Sequence, residues 1–160
     1  MRREISSFTI QRAQRLWQVR PAVSESVGYL GWRAELLELV KAAGAFKITG
    51  AKKILDSILN SPEFLADLEL QSESIQALGH LLKGSLDLVS ASLFMERFRD
   101  APQAPVPGTL KLQMACAAAL NARPEDGTVL AVLRTFHAEL LKKSADSGLQ
   151  MTAIAGLSTL

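Results

Sequence analysis

Ser72-Glu73-Ser74-Ile75-Gln76-Ala77-Leu78-Gly79-His80-Leu81-Leu82-Lys83-Gly84-Ser85-Leu86-Asp87-Leu88-Val89 is the stretch that decides the fold. Ile75, Leu78, Leu82, Leu86 and Val89, with Leu93 beyond, recur at three- and four-residue intervals, the spacing of a helix with one buried face. The pattern begins near Ser72 or Ser74 and continues to about Phe98. It predicts one long central helix with Leu78, Leu82, Leu86 and Val89 in the core. The same spacing repeats outward along the chain, and clean strand alternation is nearly absent. Ile5, Phe8, Leu16 and Val19 share a face of a first helix that Pro21 ends, unless Phe8-Thr9-Ile10 forms a short extended arm. A second helix over Val23–Ala43 carries Val23, Val27, Leu30, Leu37 and Val40 inward, and Gly44 terminates it. Thr49 caps a short helix with Ile54, Leu55, Ile58 and Leu59, and Ser61-Pro62-Glu63 is a helix start. Thr109 caps a helix to about Ala122, Pro124-Glu125-Asp126-Gly127 turns the chain, and Thr128–Lys143 forms a last clear helix. An all-α helical bundle of six or seven helices around one long central helix follows.

Helix geometry singles out His80. At about 100° per residue, it points roughly 160° away from the apolar face of the long helix, toward solvent or a partner. Ala77 and Gly84, one turn to either side, leave a bare patch. Lys83, three residues on, would place an ammonium beside a charged group on the imidazole. With an unperturbed pKa of about 6.5, the ring is mostly neutral near pH 7 and nucleophilic toward phosphorus.

His80-Leu81-Leu82-Lys83-Gly84-Ser85 resembles the phosphoacceptor segment of histidine phosphotransfer domains, in which a helical His is followed by an aliphatic residue, Lys, Gly and Ser. The resemblance covers 61–98, with flanking helices available at Pro62–Leu70 and Ser92–Phe98. It departs at Ser90-Ala91, where the family has Gly-Ala, and at Leu86, where it favours a small residue. It implies that His80 is the phosphoacceptor, exchanging a phosphoryl group with the aspartate of a receiver domain whose own Mg²⁺ assists. Lys83, Gly84 and Ala77 would form the docking face. A second segment, Leu16-Trp17-Gln18-Val19-Arg20-Pro21-Ala22-Val23-Ser24, followed by a helix and another around Leu78–Leu93, is similar to a family of short uncharacterised proteobacterial helical proteins. That resemblance spans more of the chain and implies no activity. Under it the protein is a non-catalytic, self-associating helical adaptor or regulator.

Composition bounds the alternatives. A chain of 160 residues, 48% hydrophobic and 21% charged, reads as one soluble domain, 1–160, with an internal Pro-rich linker at 101–108. A net charge of +2 does not imply nucleic acid. Residues 1–50 carry eight Lys/Arg against four Asp/Glu, and 51–100 carry five against eight. Asp56, Glu63, Asp67, Glu69 and Glu73 follow one another with no Lys or Arg among them, a solvated acidic face or a docking surface. The single Cys116, in Met114–Ala119, excludes an internal disulfide and reads as a buried thiol. No apolar run reaches membrane-span length and no secretory signal opens the chain, so a cytoplasmic location is expected.

Gly44–Lys52 misses the spacing of a phosphate-binding loop, and Glu38–Ile58 is a weak helix-turn-helix with too little basic clustering. His137 borders the apolar face of Val129, Leu133, Phe136 and Leu140, the position of a structural histidine. Two histidines without a Glu-x-x-His pair leave no metal set, so neither metal nor cofactor nor autonomous catalysis is expected. The uncharged tail Leu149–Leu160 is expected to bury Leu149, Met151, Ile154 and Leu157. The favoured cover is a second copy in a homodimer, and the alternative is the chain's own bundle.

Overall fold

The computed structural model describes residues 2–103 and 106–160, with side chains from residue 7 onward. The expected inward side chain of Ile5 in the first helix, and Ala104-Pro105 in the linker, lie outside what is described. Eight α-helices, two short 3-10 turns and a single isolated bridge make up the regular structure among the described residues, which is all-α without a strand. The chain divides into two compact units, Met1–Leu81 and Leu82–Leu160.

In the first unit, α2 (Val27–Ala45) packs against α1 (Arg2–Gln18) and α4 (Leu68–Leu81), and α3 (Lys52–Asn60) packs on α4. Ser26 starts α2 by accepting the Tyr29 N–H. The buried face of α2 is Tyr29, Trp32, Leu36, Leu37, Val40, Ala43 and Gly44, while Val27 and Leu30 are exposed. Leu37 and Val40 are buried as expected, but toward the N-terminus Tyr29 and Trp32 take the inner positions because their large rings dominate the burial, and Val23 lies exposed ahead of the helix. Trp32 is the hub: its centroid lies 6.4 Å from Trp17, 5.9 Å from Tyr29 and 5.8 Å from Phe64, and its indole N–H donates to Leu16 O at 2.7 Å. Phe8 on α1 and Val19 just beyond its end are likewise exposed, and Thr9 and Ala13 take the inner positions. On α3 the four expected residues, Ile54, Leu55, Ile58 and Leu59, are buried, each worth about 1.5–3 kcal/mol. Thr49 opens a 3-10 turn ahead of α3 instead of capping it. Asp67 starts α4, accepting the Leu70 N–H at 3.1 Å and two Arg33 N–H groups at 2.6 and 2.8 Å. Burial pushes the Asp67 carboxyl up, but the Arg33 guanidinium and the Leu70 N–H outweigh it and hold it below its usual value.

In the second unit, α5 (Leu88–Asp100) packs on α6 (Thr109–Ala119) and α7 (Gly127–Lys143), and α8 (Ser147–Thr159) packs on α6 and α7. Aspartates start three of these helices. Asp87 accepts the Ser90 N–H, Asp126 those of Thr128 and Val129, and Asp146 that of Leu149. Before α6 the cap is Gly108 at φ 90°, a left-handed position that suits glycine; Thr109 is already helical and buried. Phe94, Cys116, Leu120, Leu133, His137 and Ala153 are closed from solvent. Burial pushes the Cys116 thiol up to about 12, with Arg97 opposing, so it is the inert thiol its surroundings suggested. The tail is α8, folded onto its own unit through Leu149, Ala153 and Gly156; Met151, Ile154 and Leu157 remain exposed.

The long central helix does not form. The chain stops being helical at Leu81, turns through Leu82–Gly84 and restarts at Leu88. In the gap, Leu86 N–H donates to Arg123 O at 2.9 Å, Glu125 N–H to Leu86 O at 2.8 Å and Arg123 N–H to Lys83 O at 3.2 Å. Leu86 and Pro124 form the one parallel bridge. Gly84 weakens the helix, Asp87 offers a new cap, and the bridge satisfies the backbone groups released by the break. The restart resets the phase, so Val89 is exposed and Ser90, Ala91 and Phe94 face inward, although Leu78, Leu82 and Leu86 are buried as expected.

Candidate functional site

His80 occupies the last turn of α4 and is exposed, in accord with the helical phase. Ala77 is not part of a bare patch. It is buried where α2 crosses α4: a Cβ on Gly44 would fall 2.8 Å from Ala77 Cα and 3.6 Å from His80 Cδ2. Glycine at 44 thus permits the helices to touch backbone to backbone, and the imidazole edge flanks that crossing. Lys83 and Gly84 are exposed but stand beyond the end of α4, in the turn that opens the second unit. Lys83 is therefore not one helical turn on from His80, and its carbonyl is committed to Arg123.

His137, by contrast, is fully buried. Its Nε2 lies 3.1 Å from Leu120 O, and its Nδ1 has no hydrogen-bond partner. Burial lowers its basicity, with the Leu120 contact opposing. It is a structural histidine. Among the described residues no three His, Cys, Asp or Glu side chains cluster to hold a metal, and no helix is long and apolar enough to cross a membrane.

A groove of about 760 Å³ opens between α5 and α7. Both helices start beside the Leu86–Pro124 bridge. The groove is lined by Met95, Phe98, Val132, Phe136 and Leu140, with Phe98 and Phe136 meeting edge to face at 5.2 Å. Arg99 and Lys143, from the last turns of α5 and α7, stand at its edge with Glu139. Sequence reasoning missed it, because it is the space between two helices and not a pattern along either. The one available signal was Phe136 and Val132 flanking the buried Val129, Leu133 and Leu140, an apolar stripe wider than one neighbouring helix covers.

No family model matches the chain, and no curated protein or solved structure does either.

Proposed function

We propose that the protein is a non-catalytic helical adaptor that binds another protein by seating one amphipathic helix, acidic at one end, between α5 and α7. The observation that carries this reading is the groove's make-up: five large apolar side chains along its length, and two cations against one anion at its edge. Leucines spaced at helical intervals would fill the apolar length, and a terminal glutamate would meet Arg99 and Lys143. The reading places the protein among cytoplasmic signalling or regulatory components. The test is fluorescence anisotropy with a labelled synthetic helix that has leucines on one face and glutamates at one end. Thr135→Trp, at an exposed lip of the groove, should abolish binding, and lysines in place of the glutamates should weaken it about ten-fold. A peptide that binds wild type and Thr135→Trp equally, or neither, sinks the proposal. A dimer that Thr135→Trp converts to monomer would assign the groove to a second copy instead.

A second reading, favoured by the exposed imidazole at the end of α4, is a phosphocarrier in which His80 takes a phosphoryl group from a receiver aspartate. The Nε2 or Nδ1 lone pair attacks phosphorus, the aspartyl oxygen leaves, and the label on His80 is acid-labile and base-stable. Incubation with a phosphorylated receiver domain should label the wild type and not His80→Gln; equal labelling removes His80.

A further inference from the structure

We infer a second, smaller site in the hollow beside the Lys83–Leu86 and Arg123–Glu125 pairing, and its chemistry fits a small organic phosphate: a dianionic head on a compact apolar body. The hollow has a volume of about 480 Å³, in the range of small-molecule sites. Lys83, Asn121, Ala122, Arg123, Pro124 and Leu130 line it together with Thr159 and Leu160.

Three observations converge. First, main-chain bonds hold the two cation-bearing residues side by side: Arg123 N–H donates to Lys83 O, and the two flanking bonds to Leu86 fix both segments. Second, their charges are unspent. Among the described residues neither Lys83 nor Arg123 has a side-chain hydrogen-bond or ion-pair partner, and no Asp or Glu side chain lines the hollow. The nearest acids in sequence are Asp87, Glu125 and Asp126. Asp87 and Asp126 are occupied in capping α5 and α7, which leaves Glu125 as the uncommitted one. Third, the wall is built. Arg134 donates to Leu160 O at 3.3 and 2.7 Å, and Asn121 Nδ2 donates to Thr152 O at 3.3 Å, so the end of α8 is held against α6 and α7. An ammonium and a guanidinium on the lining of one hollow match the charge and fork chemistry of a phosphate dianion. The apolar surface of Ala122, Pro124, Leu130 and Leu160 has room for more than the phosphate alone.

The test is an amide-resolved NMR titration of the full chain with phenyl phosphate, and in parallel with inorganic phosphate and with phenol. Phenyl phosphate should saturate with shifts at Lys83, Ala122, Arg123 and Leu130, at least about ten-fold tighter than inorganic phosphate or phenol. Lys83→Gln/Arg123→Gln keeps the main-chain bonds and should weaken binding at least ten-fold, roughly the worth of charged hydrogen bonds. Lys41→Gln/Lys142→Gln removes the same charge elsewhere and should leave binding unchanged. Equal loss in both double variants, unchanged binding in the first, or phenyl phosphate no tighter than phosphate overturns the site. Binding to phosphatidic acid vesicles without binding of phenyl phosphate would also overturn it, since the cations would then belong to a lipid surface.

Discussion

His137 shows what a single closed ring costs and confers. The imidazole is packed under α8 at Gly156: a Cβ there would overlap Asn121 Oδ1 and come within 2.6 Å of His137 Cδ2 and Nε2. With Nε2–H donating to Leu120 O, Nδ1 remains bare and the ring is neutral. Its folded pKa is lowered, by burial first, so the unfolded chain takes up the proton before the native state does. The stability this residue contributes is complete above the unfolded value near 6.5. It is lost as pH falls from there through the lower folded value. Asp67 has the same sign in a more acidic window, since its folded pKa lies below the usual carboxylate value. Urea unfolding should therefore show wild type weakening as pH falls below about 6.5, and His137→Gln, which can still donate to Leu120 O, should show a flatter profile there. Parallel profiles would clear His137 of that dependence.

Two glycines of α2 separate propensity from packing within one element. Gly31 faces open space, so Gly31→Ala should stabilise by about 0.5–1 kcal/mol through the lower entropy of the unfolded chain. Gly44→Ala has the same propensity gain, but its methyl would strike the Ala77 backbone, and forced separation of α2 from α4 costs about 1–3 kcal/mol. Opposite shifts of the urea midpoint are expected, and shifts of the same sign would contradict the close crossing. The elements themselves differ in how far the sequence announced them. Thr128–Lys143 lies within a residue of α7, and the α3 core is legible in full, because the apolar periodicity of both segments is strong. The break at Leu82–Asp87 was not read, because the backbone partners of Leu86 lie at Arg123 and Glu125, far along the chain. Helix α8 was missed as a helix for a related reason. Its small, uncharged residues have little periodicity, and only docking on α6 and α7 gives them an inner face.

At the scale of the whole chain, the all-α class followed from periodicity, while the sites depended on what that periodicity cannot reach. His80 could be placed at the surface from its phase alone; the burial of Ala77 required knowing that Gly44 crosses above it. The groove and the cationic hollow arise between helices, and Arg123 gained its place only through a pairing with Lys83. The aromatic hub described above has an optical consequence. The chain has two tryptophans and one tyrosine, and Trp17, Trp32 and Tyr29 all belong to the first unit. Intrinsic emission excited near the indole band therefore watches one unit and is blind to its neighbour, whereas far-ultraviolet ellipticity counts helices in both. Any denaturation curve recorded by fluorescence alone describes half of this molecule, and the separation between its midpoint and that of the ellipticity measures how independently the two halves melt.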